Sequence, residues 1–259
     1  MISRPPLLSI ITVVYNGAYF LKGTARSVLA QTYPHIEYII VDGGSTDHTL
    51  TTIKLAQFTN EKLLNAKIFK YISERDNGLY DAMNKGLRMA TGDFVWFLNA
   101  GDELPSADTV EKMMLQYSPE TDVFYGETKL VTFTRHPLGT RSELTTQKLP
   151  EKLQWESLRL GMVVCHQAFV ARRAICPDFM PGNLAADIDW VIEVLKKSRK
   201  NVNTNMVLAN YLTGGISKQR HRQSLKDRYE ILKKHYGFGP NLWSHFIISL
   251  RAFVSANRY

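Results

Sequence analysis

Short apolar runs alternate with helical patterns through the first 100 residues of the chain. Four of these runs are rich in β-branched and aromatic residues and predict strands at 8–15, 36–41, 68–72 and 94–98. Residues 19–29 between them carry apolar side chains at helical spacing. Strand and helix repeated in this order predict right-handed βαβ units, and therefore an α/β fold with a mainly parallel sheet.

The fourth run, residues 94–98, is apolar on both of its faces, which is typical of a buried central strand in a parallel sheet. A turn ending in Asp102 follows it directly. Because open α/β sheets bind ligands beyond the carboxyl ends of their strands, Asp102 is the first candidate functional residue.

Other polar side chains occupy the ends of the neighbouring predicted strands. Taken together, acceptor oxygens and a cation at one sheet edge suit a nucleotide. Taken singly, each acidic residue could be no more than a helix cap. The residues concerned are Thr12, Asp42, Arg75 and Asp76, which share that edge with Asp102.

The chain lacks both common glycine-rich phosphate loops, GxGxxG and GxxxxGK[ST]. A divalent cation on Asp102, Mg²⁺ or Mn²⁺, is then the economical way to hold a diphosphate. Lys85 lies four residues after Asp81 in a predicted helix. The two either form an exposed ion pair or let Lys85 reach a phosphate.

The pattern loosens after Asp102. We expect a helix at 106–116, a strand at 128–134, a mobile polar loop at 135–150 and a buried strand at 163–170. The last of these contains His166 and Gln167, and a lone histidine in such a strand is more often a satisfied core residue than a functional one. A further helix opens near Asp187.

The chain has 259 residues and a net charge of +8, which suits an anionic partner such as a nucleotide phosphate or a membrane surface. Its basic residues concentrate after Lys196, away from the predicted sheet edge, which argues against nucleic acid. No signal peptide and no apolar run of roughly 20 residues is visible, so a cytoplasmic protein without a membrane span is expected.

The last 42 residues differ in character from the rest. Residues 218–234 are rich in Lys and Arg, and residues 242–254 place aromatic and aliphatic side chains on one helical face. This combination favours either attachment to an anionic membrane surface or an ordinary packed helix. We expect one domain over residues 1–217 and a helical extension over 218–259.

Four segments, 9–16, 42–49, 73–86 and 98–102, resemble family 2 glycosyltransferases in sequence, order and spacing. The resemblance is strong over residues 7–105 and includes the bacterial enzymes of capsule, O-antigen and exopolysaccharide synthesis. It implies a GT-A fold, which is Rossmann-like. It also implies inverting transfer from a nucleotide-diphospho-sugar, for which a UDP-sugar is the expected donor.

The resemblance also assigns roles to residues at the strand ends. It implies that Thr12, Tyr15 and Asp42 hold the nucleoside, and that Arg75 and Asp76 are the next positions facing the nucleotide.

The metal motif departs from the family pattern. Where the family often shows Asp-x-Asp, this chain has Asn99-Ala100-Gly101-Asp102. Asp102 matches the metal-binding end of the motif, while Asn99 offers a neutral oxygen. Metal affinity is therefore expected to depend more on the diphosphate of the donor.

The resemblance implies that a carboxylate at a helix start acts as general base. Asp187 matches best, although Asp189 could be the base instead, or Asp187 could be a plain cap. His166 with Gln167 is expected to face the acceptor or the diphosphate. Ser217 is a further candidate donor to the diphosphate, with Lys218 and Arg220 beside it.

The Gln-x-x-Arg-Trp motif of processive synthases is absent, which favours addition of a single sugar. A saccharide acceptor linked to a lipid at the bacterial inner membrane is our expectation. Two alternatives remain open from the residues: a nucleotidyltransferase acting on sugar phosphates, and a non-catalytic basic module that binds membranes or nucleic acid.

Overall fold

A computed structural model describes residues 4–214 and 221–256 of the chain. Within these residues eight strands form one sheet, in the order β3-β2-β1-β4-β7-β5-β6, with β8 paired to β5. The strands are β1 Leu8–Val14, β2 Ile36–Asp42, β3 Ile68–Ser73, β4 Phe94–Phe97, β5 Val123–Val131, β6 Pro137–Thr140, β7 Phe169–Arg172 and β8 Asn201–Leu212.

Strands β1 to β4 are parallel to one another, as the sequence predicts. The register pairs Val14 with Asp42 and Asp42 with Ser73, so the carboxyl ends of β1, β2 and β3 lie level. Strand β7 runs antiparallel between β4 and β5, while β8 is parallel to β5. The first four strands therefore build one continuous edge for a ligand site.

Helices cover both faces of the sheet. Along β4, Phe94 and Trp96 pack into one hydrophobic core, while Val95 and Phe97 pack into the other. Helices α1, α2 and α4 contribute to the first core, and α3, α6 and α7 to the second. The helices are α1 Ala18–Leu29, α2 Thr49–Glu61, α3 Leu79–Met89, α4 Thr109–Met114, α5 Arg141–Leu144, α6 Ala186–Lys197, α7 His221–Tyr236 and α8 Phe238–Ala256.

Helix α3 lies very close to the sheet because of Gly86. A Cβ atom at this position would come within 2.4 Å of the Ile11 side chain. On its other end α3 joins an aromatic stack in which Tyr80 lies on Phe179 and Phe179 on Trp190. These contacts fix α3 relative to β1 and α6, and with them the segment that precedes α3.

The second half of the chain departs from the sequence-based expectations. His166–Ala168 is a short 3-10 helix, so the expected strand at 163–170 is wrong and β7 begins only at Phe169. The backbone turns there because Trp96 donates its indole N–H to the Gln167 carbonyl at 2.8 Å.

Three other expectations are corrected in their bounds or type. The strand expected at 128–134 is β5, Val123–Val131. The expected helix at 106–116 shrinks to α4, Thr109–Met114. The expected loop at 135–150 contains β6 and the short helix α5, whose N-terminus is stabilised by a Thr140–Glu143 capping box.

The C-terminal helices pack on the main body. Helix α7 contacts α6, and α8 contacts both α7 and the segment Trp155–Leu160. Tyr236 stacks on Trp155 with ring centroids 5.3 Å apart. Among residues 4–214 and 221–256, none of the helices has the length and apolarity that crossing a membrane requires.

Candidate active site

The turn after β4 is fastened from several sides. The Gly101 amide donates to the Thr24 hydroxyl of α1 at 3.0 Å, and the Arg135 guanidinium donates to the Gly101 carbonyl at 2.6 Å. The backbone of Glu103 exchanges two hydrogen bonds with Asn210 of β8. Gly101 itself has a φ of +107°, a conformation that favours glycine. Three distant parts of the chain thus fix one short turn.

This turn holds Asp102 almost out of water, with 4% of the residue exposed. Its Oδ1 atom accepts a hydrogen bond from the Leu212 amide at 3.1 Å. Burial raises the pKa of Asp102 to about 7, although the Leu212 amide, His166, Gln167 and Arg135 partly offset this effect. The carboxylate is therefore poised to gain from any cation that approaches it.

His166 lies between the turn and helix α6. Its Nε2 atom is 3.3 Å from Asn99 Nδ2, and its Nδ1 atom is 3.3 Å from Asp187 Oδ2. The Asn99 Oδ1 atom is buried and finds no hydrogen-bond partner within residues 4–214 and 221–256. Buried acceptors are usually paired, so this oxygen is available to a ligand or to an ordered water.

Asp187 and Asp189, the two candidate bases, have different surroundings. The Asp187 side chain is partly exposed beside His166. Asp189 instead faces α7, where Lys234 Nζ lies at 2.8 Å and His235 Nε2 at 2.6 Å. Burial raises the pKa of Asp189, but the hydrogen bonds from His235 and Lys234 outweigh it and hold that pKa below its usual range. This environment suits an ion pair better than a general base.

Asp189, Glu193 and His235 bring their ligand atoms within 4.8 Å of one another, a spacing that would permit a metal ion. Two lysines already contact these three side chains, because Lys234 binds Asp189 and Lys196 lies 2.8 Å from His235 Nδ1. We interpret the cluster as a charge network that ties α6 to α7.

The predicted metal site at Asp102 offers fewer protein ligands. Asp102 supplies one carboxylate and Asn99 one unpaired amide oxygen. Both are hard oxygen donors of the kind that Mg²⁺ and Mn²⁺ prefer, so the residues fit such an ion when a diphosphate and water complete its shell.

The part of the edge that is predicted to hold a nucleoside centres on Asp42, which is fully buried. Its carboxylate accepts hydrogen bonds from the Ser73 hydroxyl at 2.6 Å and from the amide and hydroxyl of Ser45. Thr12 is also fully buried, and its hydroxyl donates to the Leu98 carbonyl at 2.8 Å. The Thr12 side chain therefore braces β1 against β4 and is not presented to a ligand in this structure.

Tyr15 lies at the same edge but is 64% exposed, so its ring is available for stacking. Asn16, which the sequence analysis did not select, bridges the first two strand ends. Its Oδ1 atom accepts from the Thr46 amide at 2.8 Å, and its own amide donates to the Ser45 hydroxyl.

The segment before α3 brings Asp76 over the turn after β2. A Cβ atom on Gly43 would lie 2.3 Å from Asp76 Oδ2, so only glycine allows this approach. Arg75 is exposed beside it.

Lys85 stabilises the same segment. Its Nζ atom donates to the Arg75 carbonyl at 2.9 Å and pairs with Glu74 Oε1 at 2.9 Å. The pair with Asp81 that the spacing predicts is longer, at 3.9 Å. Lys85 thus acts on the loop that carries Arg75 rather than chiefly on Asp81.

Several parts of the site were not identified from the sequence. The Leu212 amide, the Thr24 hydroxyl and the Arg135 side chain reach the acidic turn from distant parts of the chain, without a local motif to mark them. Conversely, Ser217, Lys218 and Arg220 lie outside the described residues, and the role expected for them stays a prediction.

The buried charge of Asp102 should lower the stability of the ligand-free protein. The folded pKa of about 7 lies above the ordinary 3.8, so stability should fall as the pH rises from 4 to 7. Asp102→Asn should remove this loss and raise the free energy of unfolding by about 2 kcal/mol at pH 8. Urea denaturation at pH 5 and pH 8, with EDTA present, measures the difference.

Asp108→Asn is the matched control. The Asp108 carboxylate is only partly buried, and its hydrogen bond with Lys112 lowers its pKa, so this variant should show no gain at pH 8. Equal pH dependence in Asp102→Asn and the unmodified protein would contradict the electrostatic account of the turn.

Comparison with known proteins identifies the family to which the chain belongs. The profile described as "Glycosyl transferase family 2" matches residues 9–177, more than half of the chain. A "PGL/p-HBAD biosynthesis glycosyltransferase" of Mycobacterium bovis is 31% identical over 82% of this chain and 79% of its own length. The "Putative teichuronic acid biosynthesis glycosyltransferase TuaG" of Bacillus subtilis is 28% identical over 91% of this chain and 92% of its own.

Solved structures agree on the fold. A mannosyltransferase from Pyrobaculum calidifontis in complex with GDP-Man and Mn²⁺ superposes with a TM-score of 0.67 at 17% identity, covering 98% of this chain and 76% of its own. TarS of S. aureus in complex with UDP-GlcNAc gives a TM-score of 0.65 at 18% identity over 87% of this chain, which spans 64% of the TarS chain. These matches confirm the expected GT-A fold. The chain belongs to glycosyltransferase family 2 and is a glycosyltransferase.

Proposed function

We propose that this enzyme transfers a single sugar, with inversion, from a nucleotide-diphospho-sugar to a hydroxyl group of a saccharide acceptor. The observation that carries the proposal is the short path from the acidic turn to Asp187. Only His166 separates the Asn99 amide from the Asp187 carboxylate, with 3.3 Å on either side of the ring. A group held at the turn and a base at Asp187 would therefore lie close enough to act on one sugar.

The donor would lie along the carboxyl edge of β1 to β4. The exposed Tyr15 ring would stack on the base, and the edge formed by Asp42 and Asp76 would shape the nucleoside pocket. Arg75, held by the contact of its carbonyl with Lys85, would offer a positive charge toward the phosphates. A UDP-sugar is the expected donor.

The diphosphate would lie at the acidic turn. Asp102 and the Asn99 Oδ1 atom would hold Mg²⁺ or Mn²⁺ there, and such an ion neutralises charge on the leaving diphosphate. The buried position of Asp102 strengthens every electrostatic interaction at this point, because little water is present to screen it.

Asp187 would act as the general base. Its carboxylate would take the proton of the acceptor hydroxyl as that oxygen forms a bond to the anomeric carbon. The bond from the anomeric carbon to the diphosphate oxygen breaks in the same step, and the diphosphate leaves with the electron pair. Attack opposite the leaving group inverts the configuration.

Binding of the donor is tested by heat denaturation with a panel of UDP-, GDP- and dTDP-sugars, each with Mn²⁺. The panel includes UDP-GlcNAc and GDP-Man, which the two structural neighbours bind. One donor class should raise the melting temperature, because a ligand that binds only the folded state stabilises it.

Asp102→Asn should lose that rise, while Asp108→Asn should keep it. The absence of a shift with every nucleotide would refute the proposed function. A nucleotidyltransferase would instead release pyrophosphate from a nucleoside triphosphate and a sugar phosphate. A non-catalytic basic module would bind no nucleotide at this edge.

The role of Asp187 is tested by a pair of variants. Asp187→Asn should reduce transfer by about 10²-fold or more, because the acceptor proton then has no base, and should leave donor binding intact. Asp189→Asn should weaken the contact between α6 and α7, and thus stability, with a smaller effect on kcat. Normal turnover in Asp187→Asn would assign the base to another residue.

We place the acceptor in bacterial surface polysaccharide or glycolipid synthesis, on a lipid carrier at the cytoplasmic face of the inner membrane. The names of the two relatives, teichuronic acid and PGL/p-HBAD biosynthesis, support this placement. Helices α7 and α8 would bring the enzyme to that surface. We retain the division into residues 1–217 and 218–259, whose boundary falls outside the described residues.

Apolar side chains on α8 support the membrane contact. Phe238 and Leu242 are both more than half exposed, and the preceding helix α7 is rich in Lys and Arg. In a flotation experiment, the unmodified protein should be recovered in the floating fraction together with vesicles of phosphatidylglycerol and phosphatidylethanolamine. Added salt should weaken its binding to the vesicles.

The double variant Phe238→Ser/Leu242→Ser should lose binding to the vesicles. Leu55→Ser is the matched control, because Leu55 on α2 is 58% exposed, against 55% for Leu242. Deletion of the residues after Asn241 should have the effect of the double variant, provided that its melting temperature shows a folded protein. Equal flotation of all variants would refute a membrane role for α8.

A further inference from the structure

His166 contacts both halves of the active site with one ring. Its side chain is about nine-tenths buried. The Nδ1 atom faces the carboxylate of Asp187 on α6, and the Nε2 atom faces the side-chain amide of Asn99 in the acidic turn. Both ring nitrogens therefore lie beside protein side chains.

The contacts select one tautomer of the ring. An ionised Asp187 can only accept a hydrogen bond, so the proton of a neutral ring belongs on Nδ1. The Nε2 atom then carries a lone pair and accepts from Asn99 Nδ2. The opposite tautomer would turn a lone pair toward the carboxylate, which is unfavourable.

The same hydrogen bonds fix the orientation of the Asn99 amide. With its NH₂ group directed at His166, the Oδ1 atom points elsewhere, and this is the buried oxygen without a partner among the described residues. A flipped amide would place two acceptors, Oδ1 and Nε2, against each other. The ring thus determines which atom of Asn99 remains available to a ligand.

We propose that His166 is a positioning residue that couples the base to the donor site, an inference that rests on the proposed function. Through Nδ1–H it holds the Asp187 carboxylate toward the acceptor. Through Nε2 it keeps the Asn99 Oδ1 atom available to the cation and diphosphate of the donor. The two functions reside on different nitrogen atoms and can be separated by substitution.

Gln and Asn each preserve one of the two contacts. The amide of glutamine reaches the place of Nε2, so His166→Gln should still accept from Asn99 but should lose the contact with Asp187. The amide of asparagine reaches the place of Nδ1, so His166→Asn should still donate to Asp187 but should release Asn99.

The kinetic measurement uses hydrolysis of the panel donor that stabilises the protein, together with binding of Mn²⁺ alone and of Mn²⁺ with UDP or GDP. For His166→Gln we expect kcat to fall by about 10-fold or more with KM for the donor nearly unchanged. For His166→Asn we expect KM to rise by about 10-fold with kcat reduced much less.

A spectroscopic measurement tests the tautomer without reference to activity. Long-range ¹H–¹⁵N spectra should show that the neutral His166 ring carries its proton on Nδ1, and Asp187→Asn should change the Nδ1 signal. Protonation on Nε2 in the unmodified protein would overturn the inference. His35→Gln and His35→Asn are the matched controls, because His35 is exposed at the opposite edge of the sheet, and neither should change kcat or KM.

The outcomes separate the inference from the proposed function. If no nucleotide binds to the unmodified protein, the proposed function fails, whatever the tautomer. If the donor binds and is hydrolysed, but both His166 variants lose kcat and KM in parallel, the ring has only a structural role and the inference fails. Unchanged kinetics in both variants would overturn it equally.

Discussion

The hydrogen bonds that fasten the turn after β4 are the constraint on which the active site depends. Asp102 is held nearly out of water, and a carboxylate in that position costs stability unless its surroundings are fixed. Contacts from α1 and from the Arg135 side chain hold the backbone at Gly101, and the Leu212 amide meets the carboxylate. The turn therefore cannot relax toward solvent, and the unfavourable burial of the Asp102 carboxylate persists until a ligand relieves it.

The part of the site around Asp187 is positioned by the packing of aromatic side chains on the same sheet. Tyr80 of α3 stacks on Phe179, and Phe179 stacks on Trp190 of α6, the helix that begins beside Asp187. Burial, and then the nearby Asp187 charge, raise the pKa of Tyr80, so its hydroxyl keeps its proton next to the proposed base. Because close-packed aromatic rings resist displacement, a shift of α3 at the proposed donor site would be transmitted to α6, which carries Asp187.

The features that the sequence predicts well are those that arise from interactions between residues close together in the chain. The strands 36–41 and 94–98 are predicted well because their apolar residues are buried on both faces, and burial is visible locally. The prediction of a strand at 163–170 is wrong. There the Trp96 indole of β4 donates a hydrogen bond to the Gln167 carbonyl, and the two residues are 71 positions apart in the chain. Neither the contact of the Leu212 backbone amide nor that of the distant Arg135 side chain is marked by a local sequence motif. Asp187 and Asp189 look alike in the chain, yet residues two apart on a helix face different neighbours, here His166 and α7.

The neutral Asn99 gives the coupling through His166 its physical importance. An aspartate at that position would attract a cation from any rotamer, since charge acts in all directions. An amide attracts a cation only through its oxygen, and an amide turned by half a rotation presents hydrogens instead. The chain has one acid where the family often has two, so in the proposed function the affinity of the turn for a metal would depend on the orientation of Asn99. That orientation is set by the ring that also contacts Asp187. The loss of one carboxylate from the motif would therefore make the proposed donor site depend on the same histidine that contacts the proposed base.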